Sequence, residues 1–431
     1  MITVVRSMAS RRFRVWFIGG AVSNIGTWMQ ATAMNWVVLT VLTDHDATAM
    51  GMTMALQFAP PLLLVSVAGW VADVFDRRRL LMATQLASML VSILIGSMLL
   101  AGALTQPMMY VLALALGIVI AFDGPARQAL VSDLVTSEHA SNAIALNAAS
   151  FNGARMVGPA VSGLLIVAVG PGWVFLINAA SFLAMLAALI AIGRGQEREP
   201  TAPPLARSGF SDGVRYVARR ADLVVIIVMV ALIGALGMNF AIMASTMALE
   251  FDQDAAGFGL LTSFVAVGAF AGALVAAQRA RARLHTIIAA SAVLGVTGLV
   301  SASMPTYWGY AATLVVFGVA LETTLTTANG YVQTSTPATL RGRVLAIYMA
   351  ILIGATPIGA PIVGWVASEF GARAGVTLSA IAAITACAVG SVWLIASHRI
   401  RRHPTSWYRL SIDESPSPSQ VEVTAAGELT S

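Results

Sequence analysis

The sequence predicts an all-α polytopic membrane protein, with twelve transmembrane helices in two parallel six-helix repeats. Three observations carry that prediction. The 431-residue chain is 58% hydrophobic and 10% charged, with a mean hydropathy of +0.81, whereas soluble domains carry about a quarter charged residues. Twelve apolar runs are long enough to cross a bilayer as helices. Four glycines, Gly153, Gly158, Gly163 and Gly170, recur in the same order at Gly354, Gly359, Gly364 and Gly371, an offset of 201 that Ala154/Ala355 and Gly117/Gly318 share. A constant offset near half the chain marks an internal duplication.

The expected spans run at about 14–42, 48–72, 80–102, 107–131, 143–169 and 172–193 in the first half, and 222–249, 257–277, 286–303, 307–334, 343–368 and 374–397 in the second. The first follows several arginines but is too long for a signal peptide and shows no small-residue cleavage site, so it reads as a retained helix. An even number of spans per half gives both halves the same orientation, the arrangement of parallel repeats around a central site. The domains expected are residues 1–193, a cytoplasmic linker at 194–221, residues 222–403, and a disordered tail at 404–431. Within the linker, Gly195–Pro204 is polar, and Ser208 or Ser211 can cap a short amphipathic helix through Phe210, Val214, Tyr216 and Val217. Arg215, Arg219 and Arg220 would then face headgroups. The tail is rich in Ser, Pro, Glu and Thr, with Trp407 and Tyr408 either disordered with it or lying at the interface.

Orientation follows from the arginines, which supply all 25 basic residues. With a cytoplasmic amino terminus, 22 of them fall on one side. Only Arg373 lies in an opposite loop, and Arg127 and Arg155 lie within spans. This is the positive-inside pattern, with both termini cytoplasmic and the inner (plasma) membrane as the location. Asp44, Asp46, Glu250, Asp252, Asp254 and Glu369 occupy the outer loops. The basic loops face anionic lipid; short, dispersed clusters tied to span ends argue against nucleic acid. The one cysteine, Cys387, lies in the last span, which rules out a disulfide framework or thiol metal site. There is no phosphate-binding glycine loop ending in Lys and no His/Cys cluster, so neither enzyme chemistry nor direct ATP coupling is expected. No metal or cofactor is expected either.

After the second span comes Gly69-Trp70-Val71-Ala72-Asp73-Val74-Phe75-Asp76-Arg77-Arg78-Arg79. Here the chain resembles the major facilitator superfamily, whose signature is a Gly, an Asp four residues on, and a basic pair after a further four and five. Gly69, Asp73, Arg77 and Arg78 match; Val74 and Asp76 depart from the pattern. The resemblance implies a charge latch on the cytoplasmic side. Asp73 would face the amino end of the eleventh span near Gly342–Val344, where a carboxylate meets a helix amino terminus, and Arg77 would reach Asp133. The alternative is three solvated arginines obeying the positive-inside rule. In the fifth span, Gly153, Gly158, Pro159 and Gly163 resemble the antiporter motif of exporters in this superfamily, with Ser162 preceding the last glycine. A kinked small-residue face packs closely on a partner helix, as it would between any two helices. Asp123 through Val135, Asn142 through Asn147, Phe175 through Phe182 and Pro337 through Val344 are similar to the branch containing the bacterial enterobactin exporter and related drug exporters. The likeness covers about residues 12–400.

Four ionisable residues fall inside spans: Asp123 and Arg127 in the fourth, Arg155 in the fifth and Glu322 in the tenth. A charge in hydrocarbon costs about 2.5–3.5 kcal/mol even on a lenient scale, so it faces a cavity or a partner. Subtracting the repeat offset from 322 gives 121, half a turn from Asp123, so the two acids occupy near-equivalent places. At 1.5 Å per residue Asp123 lies roughly 12 Å above the cytoplasmic end of its span and Arg155 roughly 18 Å. Asp123 can therefore pair with Arg155 or with Arg127 one turn away. Asp123, and secondarily Glu322, are candidates for proton uptake and release, since desolvation raises a carboxylate pKa and a nearby Arg lowers it; the alternative is a static ion pair. None of the five histidines lies in a span.

Asn24, Trp28, Asn35, Gln57, Asn239, Asn329 and Gln333 are candidates to line a substrate cavity. Met29, Met34, Met238 and Met243 add adaptable apolar surface. The expected function is proton-coupled export of a small amphipathic organic compound, a drug or siderophore-like metabolite, by a monomer. An importer or lipid translocator of the same fold is the alternative, and a membrane receptor fits less well because no sizeable soluble domain lies outside the membrane.

Overall fold

Proline, glycine and capping side chains decide where each long apolar run begins, bends and stops. A computed structural model describes residues 6–193, 210–278, 282–397, 400–403 and 406–412. The first repeat comprises α1 (Arg11–Val37), α2 (Ala47–Leu63), α3 (Val65–Val74), α4 (Arg77–Leu100), α5 (Gln106–Asp133), α6 (Ser137–Val169) and α7 (Pro171–Ile192). After α8 (Phe210–Arg219) the second comprises α9 (Ala221–Leu232), α10 (Phe240–Glu250), α11 (Ala255–Ala277), α12 (Leu284–Ser303), α13 (Tyr307–Ser335), α14 (Ala338–Phe370) and α15 (Ala372–Ala396). Asp46, Asp76 and Asp254 cap α2, α4 and α11 by accepting from backbone N–H groups of the first turn.

Among the described residues ten helical segments are long and apolar enough to cross a membrane, eleven when α2 and α3 are taken as one bent span. The remaining expected span, α1, has 27 residues but less hydropathy. Its Ser23, Gln30, Thr32 and Asn35 are buried against neighbouring helices instead of facing lipid. Two other spans differ from simple rods. The second bends by 56° between α2 and α3, because consecutive Pro60 and Pro61 remove two N–H donors from the helix ladder. The seventh is interrupted between α9 and α10 by a π-turn, Ile233–Gly237. Gly234 and Gly237 weaken the helix there, and Asn239 Nδ2 donates to the carbonyl of Ala235.

Within the first half α1 packs on α6 and α7, and α4 packs on α5 and α7; within the second, α13 packs on α11 and α12, and α12 on α15. The halves meet along two seams, α2 with α14 and α6 with α11. The repeat exchanges these seams, and its glycines make both. A Cβ on Gly163 would collide with the Ala255 carbonyl, and one on Gly364 with that of Ala47. Gly51 sits against the Ala360 carbonyl and Gly259 against that of Pro159. Gly170 and Gly371, each closing the long helix of its half, share φ values of +89° and +91°.

Seams and polar contacts between the halves concentrate on the acid-rich side. Asp46 Oδ1 accepts from Ser368 Oγ at 3.2 Å, and the Trp36 ring stacks on Phe258 with centroids 5.8 Å apart. On the Arg-rich side an added Cβ at Gly69, Gly153 or Gly342 would meet nothing within 4 Å. Among the described residues no hydrogen bond or ion pair joins the halves there. The protein is therefore closed on one side and parted on the other.

Linker residues 194–209, with Ser208, Arg194, Arg198 and Arg207, lie outside the described residues, as do Arg279, Arg281, Arg399 and tail positions 404–405 and 413–431. Helix α8 forms from Phe210, but Arg220 does not face headgroups. It is 7% exposed and turned inward to Asp222. Within the expected disordered tail, β2 (Ser406–Ile412) pairs antiparallel with β1 (Ile400–His403); Trp407 and Tyr408 belong to the residue types that favour strands.

A Thr48→Cys/Ser368→Cys pair in a Cys387→Ser background should oxidise readily to a disulfide, since the two hydroxyls lie 3.4 Å apart. Gly163→Val should wedge the equivalent seam and cut the disulfide yield several-fold, read by gel shift after a protease nick between the halves. An unchanged yield would show that the seam tolerates the added methyl groups.

Candidate functional site

The signature loop after α3 is half assembled. Arg77 Nη1 lies 2.6 Å from Asp133 Oδ2, joining the start of α4 to the end of α5 within the first half. Arg78 Nε donates to the Leu189 carbonyl on α7. Asp73 is exposed and makes no hydrogen bond or ion pair, and Gly69 faces open space. The implied contact from Asp73 to the start of α14, near Gly342, is thus not made. Of the signature's two expected contacts, the Arg77–Asp133 pair is therefore made and the one across the halves is not.

Asp123 lies inside the first bundle. Its Oδ1 accepts from Thr84 Oγ1 and Gln85 Nε2 of α4, both at 2.8 Å, and Oδ2 accepts from Arg127 Nε at 2.7 Å. Of the two partners that spacing allows, Arg127 is the one in contact. Its guanidinium also lies over the Trp16 ring, 5.6 Å from the centroid. Asp123 therefore looks toward α4 and its own helix, whereas Glu322 differs in every respect. That acid is half-buried on α13 and accepts from Thr326 Oγ1 at 2.9 Å, and among the described residues no cation contacts it. Near-equivalent positions in the two repeats thus hold one neutralised and one unneutralised carboxylate.

Arg155 is the counterpart on the basic side. Among the described residues no carboxylate reaches it; its guanidinium carbon lies 5.8 Å from the Trp28 ring centroid. Trp28 in turn meets Phe151 edge-on at 5.6 Å. Gly158 makes room for Trp28, since a Cβ there would press on the Trp28 Cβ. Pro159 and Gly163 of the antiporter-like motif face α11, while Gly153 contacts nothing beyond its own helix.

The cavity candidates separate into groups. Asn239 is buried at the break in the seventh span, with Oδ1 unpaired. Asn329 accepts from Gln333 one turn on, at 2.6 Å. Asn24 and Gln57 are half-buried and Asn35 is buried, and no side-chain partner engages any of the three. Sequence reasoning missed two polar clusters. Gln30 on α1 accepts from Asn178 Nδ2 of α7 at 2.6 Å and from Ser92 on α4. With Ser23 donating to Gln85 at 3.4 Å, a polar seam runs through the first bundle to Asp123. The second cluster is at the base of α9: Arg220 makes a two-pronged pair with buried Asp222, at 2.9 and 2.7 Å, and also donates to Tyr216 Oη. Burial opposes the Arg220 charge, but Asp222 more than offsets it, so the guanidinium titrates above its ordinary value. The signal was an Arg-x-Asp pair at a span boundary, where one residue is within reach of the other.

Two parallel helical repeats meeting along paired seams, closed on one side and parted on the other, define a secondary transporter of the major facilitator fold. The chain belongs to the transmembrane secretion effector family, whose profile matches residues 3–408, a family of transporters and not of enzymes. It is similar to the multidrug efflux pump Tap of Mycolicibacterium fortuitum, 24% identical over 81% of this chain and 87% of that protein. It also resembles the staphyloferrin A transporter of Staphylococcus aureus, 31% identical over 38% of this chain but only 42% of that protein. In three dimensions it is similar to an inward-facing bacterial homolog of the human lysosomal transporter Spinster, with a TM-score of 0.72, 14% identity, and coverage of 89% of this chain and 97% of that one. A D-xylose–proton symporter gives 0.66 at 14% identity, over 88% and 96% of the two chains. The protein is thus a multi-pass membrane transporter.

Asp123→Ala should destabilise the protein by about 3 kcal/mol, because it strands the Arg127 charge among apolar groups. The double variant Asp123→Leu/Arg127→Met should recover much of that loss. Thermal melts in detergent of the two single variants and the double variant check the cycle; simple additivity would mean the pair is not coupled.

Proposed function

We propose that this chain exports a small amphipathic organic compound in exchange for protons, by alternating access, with both termini on the cytoplasmic side of the inner (plasma) membrane. The observation that carries the reading is the one-sided seam: backbone contacts at Gly163 and Gly364 on the acid-rich side, open space at Gly69, Gly153 and Gly342 on the other. On the orientation that the arginines favour, this is the cytoplasm-open half of the cycle. Forming the Asp73 contact with the start of α14 would close that side. Two rigid bundles joined by small-residue seams can then rock and expose a central site to either compartment.

Glu322 is the better placed of the two acids for proton exchange. It is half-buried in a span, and among the described residues no cation contacts it, so its surroundings do not fix its charge as Arg127 fixes that of Asp123. Asp123, held by Arg127, Thr84 and Gln85, has the surroundings of a fixed ion and contributes to bundle structure. The aromatic and polar groups of α1, Trp28 and Asn24 among them, with Gln57 and Asn239, offer mixed apolar and polar surface. Similarity to the efflux pump Tap favours export; the alternative is an importer or lipid translocator built on the same frame.

Cells expressing the protein should accumulate less fluorescent dye than controls, and an uncoupler should abolish the difference. Glu322→Gln should remove the response to the proton gradient while leaving the protein folded, whereas Asp123→Asn should act mainly on stability. Greater accumulation in expressing cells would reverse the direction, and a Glu322→Gln variant that still follows the gradient would remove that acid from the coupling step.

A further inference from the structure

We infer that the transported compound carries an anionic oxygen group, a carboxylate, sulfonate or phosphate, which Arg155 holds beside the Trp28 and Phe151 rings. This rests on the transporter reading above and specifies the chemical class of its substrate.

The arginines within and at the ends of the spans differ in how their charge is matched. Arg127 is matched by Asp123 at 2.7 Å, Arg220 by Asp222 at 2.7 Å, and Arg373, at the opposite side, by Glu250 at 3.3 Å. Arg155 alone among these has no carboxylate. A guanidinium has five N–H donors in a planar fork suited to carboxylate or phosphate. Among the described residues those of Arg155 meet no acceptor, and its guanidinium lies against the face of Trp28. The Trp28 Nε1–H is also buried and without an acceptor. Two neighbouring donor groups therefore lack the oxygen that would complete them, inside a span where an unmatched charge is expensive.

Position strengthens the case. Arg155 precedes Pro159 by four residues and so shares its face of α6. Pro159 is where the two halves touch, its carbonyl against Gly259. One turn nearer the Arg-rich side on the same face, Phe151 is 46% exposed, so the seam has ended there. Arg155 thus stands at the closed end of the parting between the halves. An anion entering from the Arg-rich side would meet the guanidinium there, with the Trp28 and Phe151 rings, 5.6 Å apart and edge to face, flanking its apolar part. A cationic compound would meet an unneutralised positive charge at the same point.

The test compares two dyes with one xanthene core, carboxyfluorescein as the anion and rhodamine 6G as the cation, by fluorescence anisotropy on the purified full-length protein in detergent. Carboxyfluorescein should bind more tightly than rhodamine 6G. Arg155→Gln should weaken carboxyfluorescein at least about tenfold, Arg155→Lys should weaken it less, and neither should weaken rhodamine 6G. Equal melting temperatures establish that the variants are folded; if Arg155→Gln does not fold, the wild-type dye preference and Arg155→Lys decide. Three results would each overturn the inference: tighter binding of rhodamine 6G, carboxyfluorescein affinity weaker than about 1 mM, or affinity unchanged in Arg155→Gln. Because binding in detergent involves neither gradient nor direction, failure of the export reading in cells leaves this result standing, and the reverse also holds.

Discussion

The structure depends on how closely two helices can approach when neither has a side chain in the way. In a bilayer the hydrophobic effect does not drive helices together, so contact area and small residues must do it. Here the seams between the halves are made by Gly51, Gly163, Gly259 and Gly364, each set against a carbonyl of the facing helix. A bulky residue at any of the four positions would have no room and would split the contact.

The two seams do not extend equally along the membrane normal. On the acid-rich side they are reinforced by Asp46, Thr48 and Ser368 and by the Trp36–Phe258 stack. Toward the Arg-rich side the second span bends at its two prolines and takes α3 with it. Arg77 and Asp133 belong to the same bundle and pair within it, whereas Asp73 makes no described contact with the other bundle, so a signature motif that looks like one unit in sequence is only half assembled here.

Much of this was readable in advance, and the parts that were not have physical reasons. Apolar runs, glycine offsets and arginine distribution are properties of single segments or of pairs at constant spacing, so helix count, repeat and seam glycines follow from them. The first helix falls short on hydropathy because its polar residues face α4 and α7, something that a linear average cannot see. The break in the seventh span arises from Gly234, Gly237 and Asn239 acting together with Gly359, which brings α14 against the Ala235 carbonyl. Its first-half counterpart is α-helical through the equivalent residues 32–36 and turns into a π segment only at Val38–Leu42, so the two breaks are out of register and the repeat did not locate this one. The Asp222–Arg220 pair was missed because both residues sit at a boundary where exposure is the ordinary expectation. Depth along the axis allowed Asp123 either of two arginines; rotation about the axis, which spacing does not give, selected Arg127.

Charge pairing is what finally separates framework from function among the buried ionisable groups. A matched pair such as Asp123 with Arg127, or Asp222 with Arg220, gains little by changing its protonation, because removing one charge strands the other. Such pairs fix helix against helix. An unmatched group has the opposite character: its free energy depends strongly on what arrives beside it, be it a proton, a solute or the other half of the protein. Among the described interior groups, Arg155 and Glu322 are in that condition, one in each half. A transporter needs its two conformations to respond to occupancy, and a response requires a group whose partner is absent in at least one of them. On the function proposed above, these incomplete interior groups are the ones through which substrate and proton would be coupled.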